Sequence, residues 1–176
     1  MTGSPFRCVP LLDTHHTQFF YCGHNEGLDR WLDRHALTDQ KLGKSATHVW
    51  CDGGDCVVGY FTLLQTTIRE EGGNGSFFSR IRPSGFPRNH ELPGVLIGKL
   101  ALDQSLQGQG MGLDILADAY FNACEAVTLI GGAVLVVDPM NQKVADLYSE
   151  FGFTAVQDSV RMFLNFREFN RGTSLS

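Results

Sequence analysis

Nowhere does the chain contain the roughly 18 consecutive apolar residues that a membrane-spanning helix needs. It also lacks an excess of positive charge: 14 Lys and Arg stand against 19 Asp and Glu, for a net charge of −5. That balance argues against a protein whose whole surface binds nucleic acid, because such a footprint is basic, and leaves room only for a local basic patch. The first residues, Met1 to Arg7, lack the basic-then-apolar run of a secretory signal. The five cysteines are odd in number and scattered, so they do not form a disulfide framework; they read as reduced thiols of a cytoplasmic protein. No repeat, low-complexity tract or linker interrupts the 176 residues, of which 43% are apolar. One domain spanning residues 1 to 176, with a core of its own, is expected.

Asn25 is placed to cap a helix running to about Leu42, with Gly43 as its stop and Leu28, Trp31, Leu32, His35 and Ala36 as its buried stripe. Thr47–Cys51 and Val57–Leu64 are strand-like, and Asp52-Gly53-Gly54-Asp55 between them signals a hairpin. Residues 70 to 94 show no periodicity and are expected to form a long surface excursion. Val95–Leu102 reads as a central strand and Met111–Ile130 as the best helix. Leu113, Leu116, Ala117, Tyr120, Cys124 and Val127 share one face of that helix; Asp114, Asp118 and Glu125 share another. Ala133–Val137 reads as a buried strand, Asn141–Phe151 as a short helix and Arg161–Phe166 as the closing strand.

Between the central strand and the long helix lies Gln107-Gly108-Gln109-Gly110-Met111-Gly112. A glycine-rich turn at a helix N-terminus leaves backbone N–H groups pointing outward, and the helix dipole adds positive potential, so the turn suits a pyrophosphate. Glycine allows the ligand to approach those amides closely. A dinucleotide fingerprint fails, because its third glycine would fall on Leu113. A phosphate loop of the Walker type at Gly43-Lys44-Ser45 fails too, because its first glycine would fall on Thr38 and the segment follows a helix. A glycine turn with no ligand is the bland alternative.

Gln-x-x-Gly-x-Gly, carried by Gln107, Gly110 and Gly112, resembles the acetyl-CoA loop of the GNAT acetyltransferase superfamily. About thirty residues later, Asn141, Tyr148 seven residues on, and Gly152-Phe153 at the helix exit resemble that family's second signature. The resemblance implies an α+β, three-layer fold: a mixed, mostly antiparallel central sheet of six or seven strands, with helices on both faces. The central strand would end at Leu102 and splay from Val134–Val137. The resemblance also implies acetyl-CoA as co-substrate, with the backbone of Leu100, Ala101 and Leu102 bonded to its pantetheine arm. Gln107, Gly108, Gln109, Gly110, Met111 and Gly112 would hold the pyrophosphate, with Asn141 reaching the cofactor from the next helix. Tyr148 would lie beside the thioester sulfur and donate a proton to the departing thiolate, work suited to a phenol; its bland alternative is core packing. The family often carries Arg, Lys or a hydroxyl residue where Leu113 stands, so phosphate binding here rests on backbone amides.

Cys22-Gly23, then Leu28-Asp29-Arg30-Trp31-Leu32, and Gly98–Asp103 running into the glycine loop, narrow the likeness. Over residues 20 to 166 the chain resembles the acetyltransferase toxins of bacterial toxin–antitoxin pairs. That resemblance implies the α-amine of an aminoacyl-tRNA as acceptor, arrest of translation, and a ribbon-helix-helix antitoxin as partner. Arg80, Arg82 and Arg88 occupy a stretch without acids and are candidates for phosphate contacts, as are Arg30, Arg34, Lys41 and Lys44; solvated surface charge is the alternative for each. A homodimer is expected, since pairing would focus a basic groove. No carboxylate stands out as general base, which suits an α-amine of pKa about 7.7–8.0 better than a lysine at about 10.4. His48, Cys51 and Cys56 supply three ligands where structural zinc takes four, so no metal is expected; His15-His16 reads as surface. The other functions considered are an N-acetyltransferase acting on a small-molecule or protein amine, and a module that has lost its chemistry.

Overall fold

The computed structural model describes residues 4–69, 75–156 and 158–173. Its strands form a seven-stranded sheet in the order β1-β2-β3-β4-β5-β7-β6. The strands are β1 (Arg7–Pro10), β2 (Ala46–Cys51), β3 (Val57–Ile68), β4 (Leu92–Leu102), β5 (Val134–Val137), β6 (Thr154–Ala155) and β7 (Met162–Asn165). The helices are α1 (Glu26–Arg34), α2 (Ala36–Lys41), α3 (Gly75–Ile81), α4 (Met111–Ile130), α5 (Gln142–Phe151) and α6 (Phe166–Thr173). Four of the strand pairs are antiparallel and β4 pairs with β5 in parallel. This is the mixed, mostly antiparallel sheet that the resemblance implied. The chain divides into two compact units, one of residues up to Leu64 together with Gly98–Ala119, the other of Gln65–Ile97 together with residues from Tyr120 onward.

In the first unit, β1, β2 and the start of β3 form an antiparallel meander. The hairpin turn closes because the Asp52 carboxylate accepts hydrogen bonds from the amides of Gly54 and Cys56. The core gathers Leu11, Phe20, Leu32, Ala36, Val49, Tyr60 and Ala101. Trp50 is fully buried, and its indole N–H donates to the Asp118 carboxylate at 2.7 Å. A buried donor left without its partner costs about 1–3 kcal/mol. Asp118→Ala is therefore expected to lower the unfolding free energy by about that amount, read as a lower urea midpoint at unchanged slope. An unmoved midpoint would mean that the indole finds another acceptor.

The single helix expected from Asn25 to Leu42 is two helices. The chain leaves helical geometry at His35 (φ −124°), which is exposed and lies outside the buried stripe. Tertiary hydrogen bonds explain the break. Gln40 of α2 donates to the Leu11 carbonyl and accepts from the Thr47 amide, both at 2.9 Å, and Asp39 accepts from the Trp31 indole at 3.2 Å. The buried side of α4 also differs from the one expected: Ile115, Leu116, Ala119, Tyr120 and Ala123 are buried, while Leu113, Ala117, Cys124 and Val127 are only half-buried. Apolar residues occur all round this helix, so spacing alone does not choose its face.

In the second unit, β5 and β7 are buried at every position. Gly94 permits the close β4–β5 approach, because a Cβ there would stand 2.9 Å from the Val134 carbonyl oxygen. Residues 70 to 94 are not one loop. They contain α3, whose Phe78 and Ile81 join the core with Ile68, Leu92 and Phe163, and the first residues of β4; residues 70–74 lie outside the described residues. Helix α6, which sequence periodicity does not reveal, stacks Phe169 on Phe151 at 5.6 Å between ring centroids. The Tyr120 hydroxyl donates to Asn170 of the same helix. Among the described residues, no helix is long and apolar enough to cross a membrane. All five cysteines are free thiols, and no group of three or more metal-ligating side chains converges among the described residues.

Candidate active site

The β4–β5 ladder runs from Gly94↔Val134 to Ile97↔Val137, and β4 then continues to Leu102. Beyond the strand, the Asp103 carboxylate caps a short 3₁₀ turn (Gln104–Leu106) by accepting from the Ser105 amide at 3.0 Å. Burial by itself would raise the Asp103 carboxyl, but hydrogen bonds from Ser105 and from the Tyr21 amide hold it below the usual carboxylate range. The glycine turn follows. Gly108 (φ +73°) and Gly110 (φ +79°) are in the left-handed region, which side-chain-bearing residues enter at a cost. Nothing lies within 4 Å of where a Cβ would stand at either glycine, so the outer side of the turn is open. The 20-residue α4 begins at Met111. Its first amides have no partner within the helix, and its dipole favours an anion there.

The Gln107 side chain points into the protein: its amide nitrogen donates to the carbonyls of Cys22 (2.7 Å) and Leu102 (3.0 Å). Gln109 folds back onto the Ser105 carbonyl at 2.6 Å. Both glutamine side chains are thus tied to the protein, and the glycines between and after them carry no side chain. Leu100 and Leu102 are half-buried and Ala101 is buried.

In the second unit, Asn141 is the N-cap of α5, its side-chain oxygen accepting from the Val144 amide at 3.0 Å. Tyr148 is 5% exposed and packs against Phe153 at 5.4 Å. Among the described residues, nothing hydrogen-bonds its hydroxyl. Burial pushes the Tyr148 phenol above its usual pKa and the Asp138 carboxylate pushes it further, so the group stays protonated at neutral pH. The Arg161 guanidinium grips Asp138 with two bonds of 2.8 Å and holds that carboxyl below the usual range. Asp138 is committed to this pair and is not poised as a base. Arg80 and Arg88 are exposed, Arg82 is half-buried, and none of the three forms an ion pair among the described residues. Sequence reasoning missed the partners of the loop, Asp103 and the Tyr21–Gly23 segment. Their signal was the Cys22-Gly23 pair and Asp103, which carried the narrower likeness but no place in the site.

A central strand that outruns its parallel neighbour and ends in an open glycine turn at a long helix is the arrangement that the resemblance to the GNAT acetyltransferases implied. No protein-family profile matches the chain. A tRNA-acetylating toxin of Mycobacterium tuberculosis is 30% identical to it over 128 residues, 72% of this chain and 71% of that protein. The structure of the toxin AtaT complexed with acetyl-methionyl-tRNAfMet superposes with a TM-score of 0.79 at 24% identity, covering 96% of this chain and 99% of that one. A Tyr-to-Phe mutant of AtaT bound to acetyl-CoA and to the C-terminus of the antitoxin AtaR gives 0.78 at 22% identity, covering 97% and 99%. The chain belongs to the family of tRNA-acetylating toxins.

Proposed function

We propose that this protein transfers the acetyl group of acetyl-CoA to the α-amine of an aminoacyl-tRNA and so blocks translation. The observation that carries the reading is the open glycine turn, with Gly108 and Gly110 at positive φ, at the N-terminus of α4. It supplies backbone donors and a positive dipole end, and no side chain blocks a pyrophosphate. In this reading the amides of Gly108, Gln109, Gly110, Met111 and Gly112 bind the pyrophosphate, and Gln107 shapes the turn from beneath. The backbone of Leu100 and Ala101 pairs with pantetheine; the Leu102 carbonyl already accepts from Gln107. Asn141 offers its side-chain N–H, its oxygen being used in the cap.

The neutral α-amine attacks the thioester carbonyl, the C–N bond forms and the C–S bond breaks. Tyr148 gives its proton to the departing thiolate, the amine's proton leaves to solvent, and solvent reprotonates Tyr148. At a pKa of about 7.7–8.0 the acceptor needs no strong base. Arg80, Arg82 and Arg88 contact tRNA phosphates. We further propose that the whole chain acts as one catalytic domain, that it works in the cytoplasm as a homodimer without metal, and that a ribbon-helix-helix antitoxin restrains it. The free thiols support the cytoplasmic assignment, and the antitoxin bound to AtaT supports the antitoxin partner.

Incubation with radiolabelled acetyl-CoA and total charged tRNA is the test. Label is expected on the aminoacyl moiety, released with the amino acid when the ester is hydrolysed. Label passing only to free amines or to proteins would assign the enzyme to a small-molecule or protein substrate instead.

A further inference from the structure

We propose that the Tyr21–Gly23 segment is a built-in strap that presets the acetyl-CoA loop, with Asp29 and Gln107 as positioning residues. The inference rests on the reading of Gln107–Gly112 as the pyrophosphate loop. The strap lies along the stem of that loop and is bonded to it at Tyr21 and Cys22. The Tyr21 amide donates to Asp103 Oδ2 at 3.0 Å, the Gln104 amide donates to the Tyr21 carbonyl at 2.8 Å, and Gln107 Nε2 donates to the Cys22 carbonyl at 2.7 Å. Gly23 has φ +84°, and a Cβ there would come within 3.2 Å of the Gln104 side chain. The glycine therefore suits both the turn of the strap and its close approach to the stem.

The strap is fixed in turn to the N-terminus of α1. The Cys22 amide donates to Asp29 Oδ1 at 3.0 Å, and the Cys22 thiol donates to the Asn25 carbonyl at 3.3 Å. Burial, and after it the neighbouring Asp29, raise the Cys22 thiol above its usual pKa, so this cysteine is held as a neutral structural group. Helix α1 is anchored in the core by the fully buried Tyr60, whose hydroxyl donates to the Leu28 carbonyl at 3.0 Å. An unbroken chain of contacts thus leads from Tyr60 through α1 and Cys22 to Gln107. Gln107 uses both hydrogens of its amide, one on the strap and one on Leu102, the last residue of β4.

This arrangement has a physical use. A turn containing two left-handed glycines has many alternative conformations, and ordering it at the moment of binding costs affinity. Fixing its stem beforehand removes part of that cost. The Cys22-Gly23 and Leu28-Asp29 pairs then belong to the cofactor site, although they lie some 80 residues earlier in the chain.

The test compares Asp29→Ala, Asp29→Asn and Gln107→Met by acetyl-CoA calorimetry, steady-state kinetics and thermal melting. Asp29→Ala is expected to raise Kd and KM for acetyl-CoA about tenfold, the usual consequence of losing one hydrogen bond to a charged group, with kcat within about twofold of wild type. Asp29→Asn keeps the acceptor and should restore affinity. Gln107→Met should weaken binding at least as much, and combining it with Asp29→Ala should add little, because both act on one element. Unchanged Kd in Asp29→Ala, a loss confined to melting temperature, or additive effects in the double variant would each overturn the strap. If Asp29→Ala does not fold, Gln107→Met decides alone, by the same change in Kd. Gly110→Glu separates the two ideas. If it loses acetyl-CoA while Asp29→Ala keeps it, only the strap fails; if Gly110→Glu itself binds normally, the loop reading fails and the strap with it.

Discussion

Tyr148→Phe is expected to lower turnover by about 10²–10⁴, the usual worth of a positioned proton donor, while leaving fold and acetyl-CoA affinity close to wild type. The substitution removes one oxygen from a ring that is 5% exposed and packed on Phe153, so packing is preserved. That oxygen makes no hydrogen bond among the described residues, and its removal leaves no partner orphaned. Burial and the nearby Asp138 both raise the phenol's pKa, so the hydroxyl carries its proton until the thiolate forms beside it. Single-turnover transfer to charged tRNA, measured beside acetyl-CoA calorimetry and thermal melting, checks this. The same variant should be tolerated by cells without antitoxin. Turnover equal to wild type would make Tyr148 a packing residue, with water as the proton source.

Gly110→Glu should cost the most in cofactor binding. Left-handed backbone at φ +79° costs a side-chain-bearing residue roughly 1–2 kcal/mol. Open space around the Cβ position means that no clash adds to that figure. Against a bound pyrophosphate the new carboxylate is repelled: two unit charges about 4 Å apart at an effective dielectric of about 20 interact by roughly 4 kcal/mol. Acetyl-CoA affinity should therefore fall by on the order of 10²–10³, with only a small loss of melting temperature. Gly110→Ala, which carries the strain without the charge, should lower the melting temperature by a few degrees and change acetyl-CoA affinity little. Calorimetry on the pair separates the two effects, and normal affinity in the Glu variant would remove the pyrophosphate from this turn.

Much of the candidate site was legible because its signals are local. The run from Gln107 to Gly112 lies between a strand and a helix that the sequence announces by hydrophobicity and length. Met111–Ile130 has the bounds expected of it, and glycine at 108 and 110 permits the left-handed geometry found there. Tyr148 was visible through its spacing from Asn141 and Gly152. Local signals also sufficed for the turn Asp52–Asp55, where one carboxylate closes its own loop.

Tertiary structure decided whatever depends on residues far apart in sequence. The helix break at His35 accompanies the bond from Gln40 to the Leu11 carbonyl, 29 residues away in the chain, which outweighs the local preference to continue the helix. The buried face of α4 is chosen by what it packs against, since apolar residues surround that helix. Helix α3 lies in a Gly- and Pro-rich stretch, where Phe78 and Ile81 are held by the core. The role of Gln107 emerges only when Cys22 is folded against it, because a side-chain amide has no direction until its acceptors are placed. Sequence alone pointed to the candidate residues for the chemistry; the packing of distant segments determined how firmly each one is held.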